Sequence, residues 1–248
     1  MSSTTLGQSS KRVEVLGLPI DCVTMDQCLS RIEEMIAGPD SNIVVTADAS
    51  GAVIAQSDQE YADIVRRATL VTPDSNGVVW AANRQGAGLK ERVTGVDIVE
   101  RVCRLSADKG YRLVFLGSEP GVTDIAAENM RLRYPGCNIV GTRHGYFPSE
   151  SDEVVAAEIA EFKPDVLFVA MGIPRQEKFI AKTLSIIKPK VAIGVGGSFD
   201  VFSGRAKRAP MVIQKLKLEW LWRTLLNPKK FSKAKTLPVF AWMVMRGK

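Results

Sequence analysis

Histidine occurs once, at His144, and the four cysteines (Cys22, Cys28, Cys103 and Cys137) form no Cys-x-x-Cys pair. Zinc sites need clustered thiolates and imidazoles, so a structural or catalytic zinc is excluded on ligand supply alone. Scattered cysteines of this kind read as reduced, partly buried thiols of a cytosolic chain. No run approaches the roughly 20 apolar residues that would span a bilayer. Met1 to Ser10 is polar and has no apolar signal-peptide core, so residues 1–12 are expected to be a disordered lead-in. Aromatic residues are few, at 7%, and no nucleic-acid-binding motif is present, so nucleic acid is not expected as a partner. The Gly-x-Gly-x-x-Gly fingerprint is also missing, which disfavours a nicotinamide-dependent oxidoreductase. There is no nucleophile elbow.

What is present is an ordinary cored composition, 46% hydrophobic and 24% charged over 248 residues. That length suits one large α/β domain with a small appendage. The net charge of +6 is unevenly spread. From Ser203 to Lys248 there are twelve lysines and arginines against one acid, Glu219, a net +11 that leaves −5 for the rest. A basic tail on a neutral-to-acidic body calls for an anionic partner, either a lipid surface or a nucleic acid.

Apolar, β-branched runs alternate with helix-like stretches. Strands are expected at Val13–Leu16, Ile43–Thr46, Leu70–Thr72, Arg112–Leu116, Asn138–Gly141, Val166–Ala170 and Val191–Val195. Helices are expected around Thr24–Ile36, Asp58–Arg67, Gly77–Arg84, Val96–Lys109, Val122–Tyr134, Glu150–Glu161 and Gln176–Ser185. Short continuous apolar strands, each followed by a helix, predict a mostly parallel sheet flanked by helices: a Rossmann-like α/β fold over residues 13–209. Ligands then belong at the carboxyl ends of the strands. Residues 210–248 read as a basic, amphipathic helical appendage, with Leu218, Leu221, Trp222 and Leu225 on one stripe. Leu237–Met245, containing Trp242, is too short to cross a membrane but could lie in its interface.

Thr46-Ala47-Asp48 and Asp74-Ser75-Asn76-Gly77 end neighbouring strands with hydroxyls and carboxylates. Asp74 either caps the helix opening at Gly77 or works as a base or ligand. Gly117, in a strand-to-helix turn, offers backbone N–H groups to a phosphate or simply turns the chain. His144 reads as structural, and Tyr146 beside it either stacks on a base or packs. In Gly172-Ile173-Pro174-Arg175-Gln176-Glu177, Gln176 can reach a ligand or sit in an ordinary turn, with Glu177 near the positive helix end. Gly196, Gly197 and Asp200 bring backbone and a carboxylate close to a ligand. The cations Arg205, Lys207 and Arg208 follow, able to neutralise a diphosphate or only to be solvated.

In order and spacing, Arg92–Asp97 (RVTGVD), His144–Phe147 (HGYF), Gly172–Glu177 (GIPRQE), Gly194–Pro210 (GVGGSFDVFSGRAKRAP) and Leu218–Pro228 (LEWLWRTLLNP) resemble the WecG/TagA/CpsF family of bacterial glycosyltransferases, family 26. The resemblance implies a Rossmann-like core and inverting, metal-independent transfer from a UDP-sugar to a polyprenyl-diphosphate-linked acceptor, with no cofactor. It implies Asp74 as catalytic base with Thr46 beside it. Asp48, Asn76, Arg92, Gly117, Tyr146, Gly172, Gln176, Gly196, Gly197 and Asp200 would line the substrate pocket. Arg205, Arg208, Arg223 and Lys230 would face the acceptor diphosphate. The basic appendage would dock on an anionic membrane at the cytoplasmic face of the bacterial inner membrane, with a homo-oligomer as a competing use of its apolar residues.

Two positions depart from the family pattern. Thr46-Ala47-Asp48 stands where Thr-x-Asn is usual, and Asp74-Ser75-Asn76-Gly77 stands for Asp-Gly-x-Gly. Exchanging an amide for a carboxylate removes a donor and adds charge. The family's best-known donor sugar is N-acetylmannosamine; with these changes, UDP-glucose or another UDP-hexose for exopolysaccharide is the alternative.

Overall fold

The computed structural model describes residues 11–207, 209–210 and 236–247. A hairpin of β1 (Arg12–Val15) and β2 (Leu18–Asp21) precedes the main sheet. Its turn residues, Leu16 and Gly17, both have positive φ, as a two-residue hairpin turn demands. The expected lead-in therefore ends at least one residue early: Arg12 belongs to β1, and its guanidinium forks onto buried Asp21 at 3.0 Å. Asp21 also accepts from Arg31 and from the Val71 backbone, which ties the hairpin to the sheet edge.

The main sheet is six-stranded and wholly parallel. Its strands are β3 (Asn42–Ala47), β4 (Leu70–Pro73), β5 (Leu113–Gly117), β6 (Ile139–Arg143), β7 (Val166–Ala170) and β8 (Val191–Gly194). The spatial order is β4-β3-β8-β7-β5-β6. Every residue of β4, β5, β7 and β8 is buried, which explains their unbroken apolar runs.

Alternate side chains feed two faces. Val44, Leu70, Phe115, Phe168 and Ile193 join the core under α1 (Met25–Ala37), α5 (Gly95–Lys109), α6 (Val122–Arg133) and α9 (Ser198–Phe202). Val45, Val71, Val114, Leu167 and Ala192 face the other way. There they meet α2 (Ala49–Ile54), α3 (Gln59–Arg67), α4 (Asn76–Arg84), α7 (Asp152–Ala160) and α8 (Arg175–Ile187). The helices α2 and α9 were not expected, because five or six residues are too few to display a helical period.

The last helix, α10 (Thr236–Met245), falls in the stretch read as interfacial. Its Phe240 is buried, 3.4 Å from where a Cβ on Gly77 would stand, and Leu237, Met243 and Val244 join the same core as α2 and α4. One face of this segment is thus committed to the protein core and not to a membrane. Val239, Trp242 and Met245 stay exposed, with Arg246 over the Trp242 ring at 4.1 Å. Arg208, Arg223, Lys230 and the Leu218–Leu225 stripe lie outside the described residues. Among the described residues, no helix is long and apolar enough to cross a membrane.

Candidate active site

The carboxyl ends of β3, β4, β8 and β7 form one rim, and the predicted motifs meet there. Ala47 is paired with Pro73, so Asp48 and Asp74 follow adjacent register positions. The Asp74 N–H donates to the Ala47 carbonyl at 2.9 Å, which locks the two strand ends together. The cap of α4 is Ser75, whose hydroxyl accepts from the Val78 N–H at 3.3 Å. Capping therefore does not fall to Asp74, which settles one of the two readings of that residue. Asp48 caps α2, accepting from the Gly51 N–H at 2.7 Å. Aspartate caps as well as asparagine does, so this departure from the family pattern leaves the local fold intact.

Thr46 is buried and donates its hydroxyl proton to the Gly194 carbonyl at 2.8 Å. Its lone pairs, and not its proton, remain for a ligand. The Arg92–Asp97 motif runs along β4: the Val93 N–H bonds to the Pro73 carbonyl at 2.9 Å, and the Thr72 hydroxyl donates to the Val93 carbonyl at 3.0 Å. That brings Arg92 to the end of the strand that carries Asp74. Thr94 caps α5. A Cβ on Gly95 would stand 3.1 Å from the Cα of Val195, so this motif also packs on the loop after β8.

Gln176 is fully enclosed. Its Oε1 accepts from the Gly196 N–H at 3.0 Å and the Gly172 N–H at 3.2 Å, and its Nε2 donates to Glu177 at 2.8 Å. It thus clamps the loops after β7 and β8 from below. Asn76 opens α4, and Asp200 sits half-buried in α9. The neighbour of Asp200, Phe199, stacks on Phe115 at 4.6 Å, which fixes the short helix. Gly197 is exposed at the start of α9, beside Gly196.

At Gly117 strand packing by itself demands glycine. Its φ is +140°, and a Cβ there would overlap the Ala170 carbonyl of β7. His144 receives a hydrogen bond on Nε2 from Arg143 at 2.8 Å. A guanidinium only donates, so Nε2 is the acceptor in this contact, and the other ring nitrogen, Nδ1, is buried without a hydrogen-bond partner. Phe147 packs edge-on to Phe179 and under the Arg175 guanidinium, which is paired with buried Asp152.

Tyr146 projects outward, and its hydroxyl donates to Glu119 at 3.3 Å. Glu119 also pairs with Arg205, so one carboxylate joins the loops after β5, β6 and α9. The Arg205 hydrogen bond holds the Glu119 carboxyl below its ordinary range, and the Glu119 charge pushes the Tyr146 phenol up. Arg205 is thus engaged by a carboxylate at the position where a phosphate was expected.

Two further residues were not anticipated as part of the site. Glu177 is wholly buried, its Oε2 has no hydrogen-bond partner, and burial pushes its carboxyl up to about 7. Tyr61 of α3 is also buried with an unpartnered hydroxyl, and burial raises its phenol. Nothing in the local sequence distinguishes either residue, because their burial is set by contacts between distant segments. Among the described residues, no cluster of three or more histidine, cysteine or acidic side chains could hold a metal ion.

A doubly wound parallel sheet with acids, glycines and a clamping glutamine at its carboxyl rim defines a Rossmann-like protein with its functional site at the strand ends. The chain belongs to the WecG/TagA/CpsF family of glycosyl transferases, whose sequence profile matches residues 13–248. Two similar relatives, from Staphylococcus aureus strains MRSA252 and NCTC 8325, are each 32% identical over 242 residues. The match covers 97% of this chain and 94% of each relative. Both are N-acetylglucosaminyldiphosphoundecaprenol N-acetyl-beta-D-mannosaminyltransferases. The chain is accordingly a glycosyltransferase with a Rossmann-like core, as its motifs implied.

Proposed function

We propose that this enzyme transfers N-acetylmannosamine from its UDP-activated form to N-acetylglucosamine carried on a polyprenyl diphosphate, with inversion at the anomeric carbon. The observation that carries this reading is the near full-length similarity to mannosaminyltransferases, combined with a rim where Asp48 and Asp74 stand at adjacent strand ends. Asp74 takes the proton from the acceptor hydroxyl as that oxygen attacks the anomeric carbon. The bond from the anomeric carbon to the diphosphate oxygen breaks, and UDP leaves with the electron pair. The near full-length similarity to mannosaminyltransferases supports their sugar over UDP-glucose, and both departures from the family pattern keep a helix cap.

The leaving diphosphate develops charge that cations at the rim stabilise without requiring a metal. Arg205 faces the acceptor diphosphate by exchanging its Glu119 partner for phosphate. Arg208, Arg223 and Lys230, on the basic segment, are assigned to the acceptor diphosphate. That segment and the exposed Trp242 face of α10 bring the enzyme to the cytoplasmic leaflet as a peripheral protein. Each lysine or arginine near an anionic leaflet contributes ~1 kcal/mol.

Asp74→Asn tests the base. Turnover is expected to fall by ~10²–10⁴-fold, while calorimetric UDP affinity stays within a few-fold of wild type. Near-normal turnover would remove Asp74 from the mechanism.

A further inference from the structure

Glu177 follows the glutamine clamp in sequence and is wholly buried beside it. Its Oε1 receives the Gln176 Nε2 at 2.8 Å, while Gln176 Oε1 receives the N–H groups of Gly172 and Gly196. The two ends of an amide differ only in which atom donates. Flipping the Gln176 amide would set its NH2 against two backbone donors and its oxygen against Glu177. The two backbone donors and the Glu177 acceptor therefore select the same face.

The space around the clamp is tight. A Cβ on Gly194 would lie 2.7 Å from Gln176 Nε2 and 3.1 Å from Glu177 Oε1, so the residue must be glycine for β8 to pass over both side chains. The second oxygen of Glu177 has no hydrogen-bond partner, and neither has the Tyr61 hydroxyl, whose pKa is raised in part by the charge of Glu177. A Cβ on Gly51, in the helix capped by Asp48, would come within 2.5 Å of that hydroxyl. A buried, half-satisfied carboxyl is costly for a fold. A hydrophobic residue of similar size would pack without that cost, so the acid at this position contributes something other than packing.

We infer that Glu177 is a positioning residue for the nucleotide-sugar site: through Gln176 it fixes the loops after β7 and β8 at one spacing, holding Gly172 and Gly196 where a ligand meets them. The proposal rests on the reading of that rim as the donor site. Its structural half stands apart from that reading, because the two loop amides are observable without any ligand.

The test compares the full chain with Glu177→Leu, which keeps the bulk but removes the acceptor, and Glu177→Gln, which keeps an acceptor oxygen. Hydrogen exchange is followed at the Gly172 and Gly196 amides and at the β5 and β7 amides, alongside UDP titration. The leucine variant is expected to lose protection at Gly172 and Gly196 by at least tenfold, with the strand amides unchanged. Its UDP Kd is expected to rise tenfold or more, and the glutamine variant should stay within about threefold of wild type on both readouts. Unchanged exchange at the two glycines in the leucine variant would overturn the proposal. So would an equal loss at the strand amides, which would make Glu177 merely structural. If wild type fails to bind UDP while the glycines still lose protection selectively, the donor-site reading falls and the positioning role stands.

Discussion

Gln176 and Glu177 are adjacent, yet the glutamine bonds two loop amides while the acid is wholly buried with one oxygen unpartnered. That burial has a consequence for pH. Burial raises the Glu177 carboxyl from its ordinary 4.5 to about 7, with Asp48 before α2 adding a smaller push in the same direction. Tyr61 of α3 faces the same interior, and Asp58, paired with Lys178, lies at its edge. A raised carboxyl favours the neutral form in the folded state. Its stabilisation is complete below about 4.5 and is lost as pH rises through about 7. Glu177→Gln stays neutral throughout. The stability of that variant relative to wild type should therefore climb by ~3 kcal/mol between pH 4.5 and 8, at about 1.4 kcal/mol per pKa unit. Urea midpoints that move in parallel across this range would contradict the burial argument.

At the same scale, what the sequence makes visible is uneven. Asp74 and Thr46 stand out in the sequence as a carboxylate and a hydroxyl closing apolar strands, and Asp200 as an acid following three glycines. The competition between Asp74 and Ser75 for the α4 cap is not legible, since either residue type caps well and a one-residue shift in the helix start decides it. Glu119 escapes notice for another reason. Its partners Tyr146 and Arg205 lie on loops 27 and 86 residues away, and only the sheet order brings them together.

At the scale of elements, the parallel strands declare themselves through burial on both faces, and the observed β7 coincides with its expected range. The hairpin partner β2 does not, because Pro19 interrupts its run and the Leu16-Gly17 turn lacks the usual Asn-Gly signal. The helix α10 shows apolar residues all round, a pattern shared by interfacial and core-packed segments. Packing separates the two. Phe240 is 1% exposed beside Gly77 in the first turn of α4, in the core it shares with Ala49 of α2. Phe240→Ala should cost about 3 kcal/mol, the low end for a buried phenylalanine, and lower Tm by roughly 6–12 °C. An unchanged Tm would mean that α10 adds nothing to the core.

At the scale of the molecule, charge and fold divide the work between two ends of the chain. The body carries −5 and the segment from Ser203 to Lys248 carries +11. A protein without a spanning helix can be held at a leaflet by such a segment, and the hold weakens with salt. Truncation after Pro210 removes nine of the twelve cations and Glu219, a net +8 of that charge, together with α10. It is expected to abolish pelleting with anionic vesicles and transfer to a lipid-linked acceptor, with far-UV circular dichroism and a cooperative melt verifying that the body remains folded. Full transfer by a folded, truncated chain would refute the assignment of the acceptor to the tail.

Which nucleotide sugar the rim accepts is read directly by a donor screen. UDP release is followed from UDP-N-acetylmannosamine, UDP-N-acetylglucosamine and UDP-glucose, each with polyprenyl-diphosphate-linked N-acetylglucosamine and the full chain. The account predicts acceptor-dependent release from UDP-N-acetylmannosamine at least tenfold faster than from either competitor. Preferential release from UDP-glucose, or release that does not depend on the lipid-linked acceptor, would contradict it.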